Sequence, residues 1–305
     1  MMVENKESSK ELLESCKLCP RKCRANRLKG EKGFCGAGAN AKIARVALHM
    51  WEEPCVSGRN GSGTVFFSGC NMKCAYCQNY VISTGENGYW VTEAELAESF
   101  LMLQEQGADN INLVTPTHYV PQIISSLDIA ESKGLNIPVI YNSGGYESVE
   151  TLKLLRGYID VYMPDFKYFS DKYAIEYSCA PNYFDVAGAA IEEMFRQVGV
   201  NTFDNRGMIK KGVIVRHMML PGLLFETKRI LDYLHSSYGD NIYISLMSQY
   251  TPMPNVREHP KLSKRINESH YQAMVDYCLD CGIKNVFIQD ISSAVQDFIP
   301  DFQDE

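Results

Sequence analysis

Eleven cysteines in 305 residues are the side chains here best suited to metal or redox chemistry, and their spacing is far from even. Cys16, Cys19, Cys23 and Cys35 crowd one segment, and Cys70, Cys74 and Cys77 form a second group. Cys278 and Cys281 lie near the end, while Cys55 and Cys179 stand alone. The middle group reads Cys70-Asn-Met-Lys-Cys74-Ala-Tyr-Cys77, a C-x3-C-x2-C loop. Three thiolates on so tight a loop can ligate three irons of a [4Fe–4S] cube and leave the fourth iron without a protein ligand. An open coordination position is where a substrate or cofactor binds. The competing reading is a zinc site, but zinc wants a fourth His or Cys close by, and this loop offers none.

The first group, Cys16-Lys-Leu-Cys19-Pro-Arg-Lys-Cys23 with Cys35-Gly36 beyond it, supplies four ligands within one short segment. The Lys and Arg between them favour thiolate over thiol. Such a set can hold zinc tetrahedrally or a second [4Fe–4S] cluster. A segment too short for its own core would then fold around the metal. Iron–sulfur would relay electrons to the other cysteines and zinc would be structural; the spacing leaves both open. Cys278 and Cys281 fall on one amphipathic helix and are expected in its core, and Cys55 and Cys179 read as small apolar fillers.

The triplet, with the aromatic Tyr76 before its last Cys, resembles the signature of the radical S-adenosylmethionine superfamily. The resemblance implies that the open iron is chelated by the amino and carboxylate groups of S-adenosylmethionine. Reductive cleavage of the cofactor then yields a 5′-deoxyadenosyl radical that abstracts hydrogen. Cys77-Gln-Asn-Tyr80, Val114-Thr-Pro-Thr-His118 and the stretch from Val213 to Gly222 are similar to the branch of pyruvate formate-lyase activating enzymes, and to a paralogous subgroup of it.

That branch implies contacts to the cofactor at particular positions. After the second strand the superfamily usually carries Gly-Gly-Glu, whereas this chain has Thr115-Pro116-Thr117. The hydroxyls of Thr115 and Thr117, and the backbone carbonyls, can still accept hydrogen bonds from an ammonium. Asn142 is similar to an element contacting the ribose or methionine. Asp165-Phe-Lys167 matches an Asp-x-Lys that pairs with the methionyl end, and an inward Arg216 would reach the cofactor carboxylate. Arg216 and His217 alternate faces of one strand, so only one of them can point inward. The implied function is activation of a glycyl-radical enzyme, with flavodoxin or ferredoxin as reductant. Modification of a small molecule or peptide is the first alternative; a non-catalytic iron–sulfur or zinc protein, carrying electrons or organising partners, is the second.

Elements must bring these residues together. From Thr64 onward the chain alternates β-branched runs with helical stretches: candidate strands near 64–68, 110–114, 138–141, 158–163, 213–219, 242–247 and 285–289, and helices near 91–106, 121–133, 148–155, 183–198, 226–237 and 264–281. Strands alternating with helices imply βαβ units and a parallel sheet, with chemistry at the strand C-termini. The expected fold is α/β, a partial (β/α)6-type barrel over residues 61–305 with a Cys-rich metal-binding extension over residues 1–60; a doubly wound sheet is the runner-up. Gly58-x2-Gly61-x-Gly63 precedes a strand, the wrong context for a dinucleotide turn. His49, Glu52 and Glu53 read as a solvated turn, and His118 as a residue facing either substrate or core.

Composition sets the outer bounds. A formal net charge of -7 argues against wholesale binding to nucleic acid or an anionic membrane. The polar start MMVENKESSKELLES lacks the apolar stretch of a leader, and no apolar run is long enough to span a membrane. The expectation is an oxygen-sensitive cytoplasmic enzyme, because cysteines in a reducing compartment serve metals more often than disulfides.

Overall fold

Apolar runs without polar alternation form the central strands. Val65, Ile111, Leu113, Tyr141, Val161, Val213 and Val215 have no exposed surface, as befits strands covered on both faces. This computed structural model describes residues 11–290 and residue 302. The first ten residues, on which the reading of no leader rests, and most of the chain's last stretch lie outside the described residues.

In chain order the strands are β1 Ala41–His49, β2 Ser62–Phe67, β3 Tyr89–Val91, β4 Ile111–Val114, β5 Val139–Ser143, β6 Val161–Pro164, β7 Thr202–Phe203, β8 Ile209–Met218, β9 Tyr243–Met247 and β10 Val286–Ile288. They form one sheet ordered β10-β9-β8-β6-β5-β4-β2-β1-β3, with β7 paired to β8. From β2 to β10 every neighbour on this path runs parallel. Among the described residues the two ends of the path do not pair, so the barrel is partial and open.

The helices are α1 Pro54–Ser57, α2 Tyr80–Ser83, α3 Glu93–Glu105, α4 Val120–Ser132, α5 Val149–Leu154, α6 Asp171–Ser178, α7 Tyr183–Val198, α8 Leu224–Tyr238 and α9 Glu268–Asp280. α3 opens on a capping box in which Thr92 and Glu95 satisfy each other's backbone N–H groups. None of the helices among the described residues is long and apolar enough to cross a membrane.

Three features differ from the sequence reading. β1 and β3 extend the sheet antiparallel at one edge, outside the βα alternation that identified the other strands. β1 lies within residues 1–60 and pairs with β2 along Ile43–His49. The segment 171–178, absent from the expected helices, is α6; it buries only Ala174, Tyr177 and Ser178, too sparse an apolar pattern to announce a helix. Cys278 is buried as expected, whereas Cys281, one turn on at the C-cap, is exposed.

The turns after β5 and β6 pack closely. Gly145 has a φ of 76°, and a Cβ there would run into the carbonyl oxygen of Asp165. Gly145→Ala should lower stability by about 1–3 kcal/mol from backbone strain, with the clash adding to it. Chemical denaturation reads this out, and an unchanged midpoint would contradict the packing described.

Candidate active site

The C-terminal ends of the parallel strands surround one cavity, to which the loop after β2 contributes Cys70, Cys74 and Cys77. Thr115 follows β4, Asn142 and Ser143 end β5, Asp165 and Lys167 follow β6, and all of these line the same cavity, as does Arg216 of β8. Thr115 holds a φ of 60°, strained for a β-branched residue. Its N–H donates to the Asn142 carbonyl at 2.8 Å, which keeps the ends of β4 and β5 in register.

Charge organises one side of the cavity. The Lys167 Nζ donates to Asp165 Oδ2 at 2.6 Å, and Arg216 Nε donates to Asp165 Oδ1 at 3.0 Å. Arg216 also donates to Asn142 Oδ1 at 2.6 Å and to Glu52 Oε2 at 3.3 Å. Burial by itself would raise the Asp165 carboxyl, but Lys167 and Arg216 outweigh it and hold it below the usual carboxylate range. Burial opposes the charge on Lys167 as well, and the adjacent Asp165 carboxylate overcomes it, keeping the ammonium charged. Glu52 lies the other way: burial pushes its carboxyl up despite Arg216 and an amide hydrogen bond from Asn112.

The sulfur side has its own hydrogen bonds. The Met72 N–H donates to Cys70 Sγ at 3.3 Å, and the Ser178 hydroxyl to Cys74 Sγ at 3.0 Å. With Ser178 Oγ donating, Tyr168 supplies the hydrogen at 2.6 Å to Ser178, and Tyr76 in turn lies 2.7 Å from Tyr168. A buried file of hydroxyls thus ends on the sulfur of Cys74.

The N-terminal cysteines pack against this loop. Gly69, with a φ of 89°, has no room for a Cβ because the Cys35 carbonyl occupies the space. Arg21 donates to the carbonyls of Asn71, at 2.9 Å, and of Cys179. Cys16 lies within electrostatic range of Cys23 and Cys35, and Cys19 of Cys16 and Cys35. Among the described residues no three His, Cys, Asp or Glu side chains converge on a single-ion position.

Other candidates sit elsewhere. Thr117 does not line the cavity; its hydroxyl donates to Glu147 Oε1 at 2.6 Å, and Tyr141 donates to Glu147 Oε2 at 3.0 Å. His118 is buried with Nε2 2.9 Å from the Ser68 carbonyl, and burial depresses it to about 3. His217 faces away from Arg216, between the Phe166 carbonyl and the Thr227 hydroxyl, and burial lowers it to about 4. Glu52 and Glu53, read as a solvated turn, are largely buried against Arg216. No local pattern announces this burial, because Met50 and Trp51 just before the pair are exposed. Glu147, which carried no motif, is fully enclosed.

The Radical SAM superfamily profile matches residues 64–234, more than half of the chain. The chain belongs to the radical SAM superfamily. It is 30% identical over 270 residues to an uncharacterized protein of Methanocaldococcus jannaschii, MJ0674, covering 85% of this chain and 73% of that one. Its fold is similar to Streptococcus suis SuiB bound to precursor peptide SuiA (TM-score 0.50, 13% identity, 72% of this chain and 46% of that one). It is also similar to anSMEcpe with bound AdoMet (TM-score 0.50, 13% identity, 73% of this chain and 61% of that one). The chain therefore spans about half to three fifths of the length of these two structural relatives.

Radical SAM enzymes use a [4Fe–4S] cluster and S-adenosylmethionine, and this site's donors fit both. Three thiols on one loop form a soft, all-sulfur set suited to iron–sulfur chemistry, and a zwitterionic cofactor meets carboxylates, an ammonium and a guanidinium in the same cavity.

The enclosed Glu147 generates a pH-dependence. Burial lifts its carboxyl from 4.5 to about 7, against hydrogen bonds from Thr117, Tyr141 and Ser143. The native chain then binds a proton that the unfolded chain releases, so stability falls as pH rises across that interval. Relative to Glu147→Gln, the natural protein should lose up to about 3 kcal/mol between pH 4.5 and 7. Parallel anaerobic melting profiles at every pH would contradict this.

Proposed function

We propose that Cys70, Cys74 and Cys77 hold the [4Fe–4S] cluster and that Thr115, Asn142, Asp165, Lys167 and Arg216 bind S-adenosylmethionine beside it. The observation that carries this reading is the sharing of one cavity by the three cysteines and the Asp165–Lys167–Arg216 network. When bound, the reduced cluster and cofactor supply a carbon-centred radical able to take hydrogen from a substrate. The chain's own residues bind and orient. Asp165 offers a carboxylate to the cofactor ammonium, Lys167 and Arg216 offer cations to its carboxylate, and Asn142 holds the Arg216 guanidinium in plane. Tyr76 and Met72, both almost fully buried, close the wall behind the cysteines against water.

Within the same reading, Cys16, Cys19, Cys23 and Cys35 form a second metal site in a Cys-rich extension over residues 1–60. Iron–sulfur is favoured over zinc because the segment abuts the Cys70 loop at Gly69 and Asn71, where an electron relay from flavodoxin or ferredoxin would deliver. The setting is a reducing cytoplasm. For the substrate, the resemblance to activating enzymes supports hydrogen abstraction from a glycine of a protein partner. A second cavity contiguous with the first, lined by Glu52, Glu53 and Trp51, favours a small molecule or peptide.

Anaerobic reconstitution with metal counting, then dithionite and S-adenosylmethionine, tests the proposal. The natural protein should form 5′-deoxyadenosine, and replacement of Cys70, Cys74 and Cys77 by Ala should abolish it. About eight irons per chain would put a second cube at the N-terminal quartet, and about four with one zinc would make that site structural. Zinc without iron and no deoxyadenosine would overturn the reading. A second test targets the hydroxyl file. Ser178→Ala removes a hydrogen bond to the Cys74 sulfur, so the cluster's midpoint potential should fall by on the order of 40 mV, the equivalent of about 1 kcal/mol for one electron. Potentiometric titration followed by electron paramagnetic resonance measures it, and an unchanged potential would contradict the assignment.

A further inference from the structure

Behind Arg216 lies a second cavity of about 230 Å³, more than about tenfold what a single water needs. Trp51, Glu52, Arg216, Met247 and Gln249 line both cavities, so the two adjoin across these side chains. Glu53 faces only the second one, and it is anomalous. The Ser245 side chain lies close enough to favour the charged form of Glu53, yet Oε2, buried, has no hydrogen-bond partner. A buried carboxylate oxygen left unpaired is costly and calls for a donor from outside the chain.

The surrounding charges say what kind of donor. Around Arg216 stand Glu52, Glu53 and Asp165, whereas among the described residues the cations acting on them are Arg216 and Lys167. Asp165 and Glu52 occupy Arg216 directly, and Lys167 is taken by Asp165, so Glu53 is the carboxylate left over. Burial also pushes the Glu53 carboxyl up, as expected of a negative charge that lacks a full counterpart. Trp51 and Phe287 provide aromatic walls, surfaces that attract organic cations.

We infer that this cavity is the substrate pocket and that it selects a substrate carrying an organic cation, an ammonium or guanidinium, on an apolar or aromatic body. The cation pairs with Glu53, and the body extends past Arg216 toward the cysteine-lined cavity. The inference rests on the proposed function of that neighbouring cavity, whose small-molecule or peptide reading it deepens.

Calorimetric titration of the whole, anaerobically reconstituted chain with phenethylammonium and with its neutral analogue phenethyl alcohol tests the pocket. The ammonium should bind about tenfold or more tightly than the alcohol, the worth of a hydrogen bond to a charged group. In Glu53→Gln the two affinities should come within about twofold of each other. Trp51→Leu, at an exposed position, provides a second variant and should weaken the ammonium several-fold. Equal affinities in the natural protein, or a full ammonium preference kept by either folded variant, would overturn the inference. Deoxyadenosine formation by the same natural preparation is read in parallel. Cleavage without ammonium preference sinks the pocket alone, and preference without cleavage sinks the cofactor reading alone.

Discussion

Asp165 accepts a hydrogen bond from a cation on each of its oxygens, Lys167 on one and Arg216 on the other, and the site is organised around that double pairing. All three groups are largely buried, where an unpaired charge is expensive and the loss of one partner strands the others. The pairing also does topological work. It joins β6 to β8 beyond the point where their ladder ends, alongside the bridge between Asp165 and Arg216 and the Phe166 N–H bond to the Arg216 carbonyl. Through Asn142 and Glu52 the same guanidinium reaches β5 and the segment after β1. A parallel sheet left open at its edges thus has its strand ends fixed by charge where the cavity requires rigidity.

The cysteine loop is fixed by different means. Its entry, Gly69, has no side chain because the Cys35 backbone fills the space, and its Asn71 carbonyl is held by Arg21. Asn71 in turn donates its amide to the Tyr146 carbonyl at 2.6 Å. Two Cys-rich segments that are far apart in sequence therefore share one packed surface. Geometry at the triplet depends on order in the N-terminal segment, so the metal proposed there would help to shape the site as well as serve in electron flow.

Much of this was legible in the sequence because it is local. A C-x3-C-x2-C loop after a β-branched run, and Asp165 and Lys167 just past another, need only the βα rhythm to be placed at strand C-termini. Alternation on β8 showed that Arg216 and His217 face opposite ways; only the tertiary fold decides that Arg216 takes the cavity. Glu52 and Glu53 were illegible for a related reason. An acidic pair before a proline has the local signature of a solvated turn, and its burial depends on Arg216, 164 residues from Glu52. Thr117 shows the converse: Pro116 begins a tight 3-10 turn that carries Thr117 away from the cavity and toward Glu147, a partner that no spacing rule announces. β1 escaped because a strand paired antiparallel to both of its neighbours does not belong to the alternating pattern that revealed the parallel strands.

The central claim is that three cysteines leave one iron open for S-adenosylmethionine beside the Asp165 network. The most direct measurement is the electron paramagnetic resonance spectrum of the reduced protein with and without S-adenosylmethionine. A [4Fe–4S] signal whose line shape changes on addition of the cofactor is expected. A signal indifferent to S-adenosylmethionine, or no cluster signal from a protein in which Cys70, Cys74 and Cys77 are intact, would contradict it.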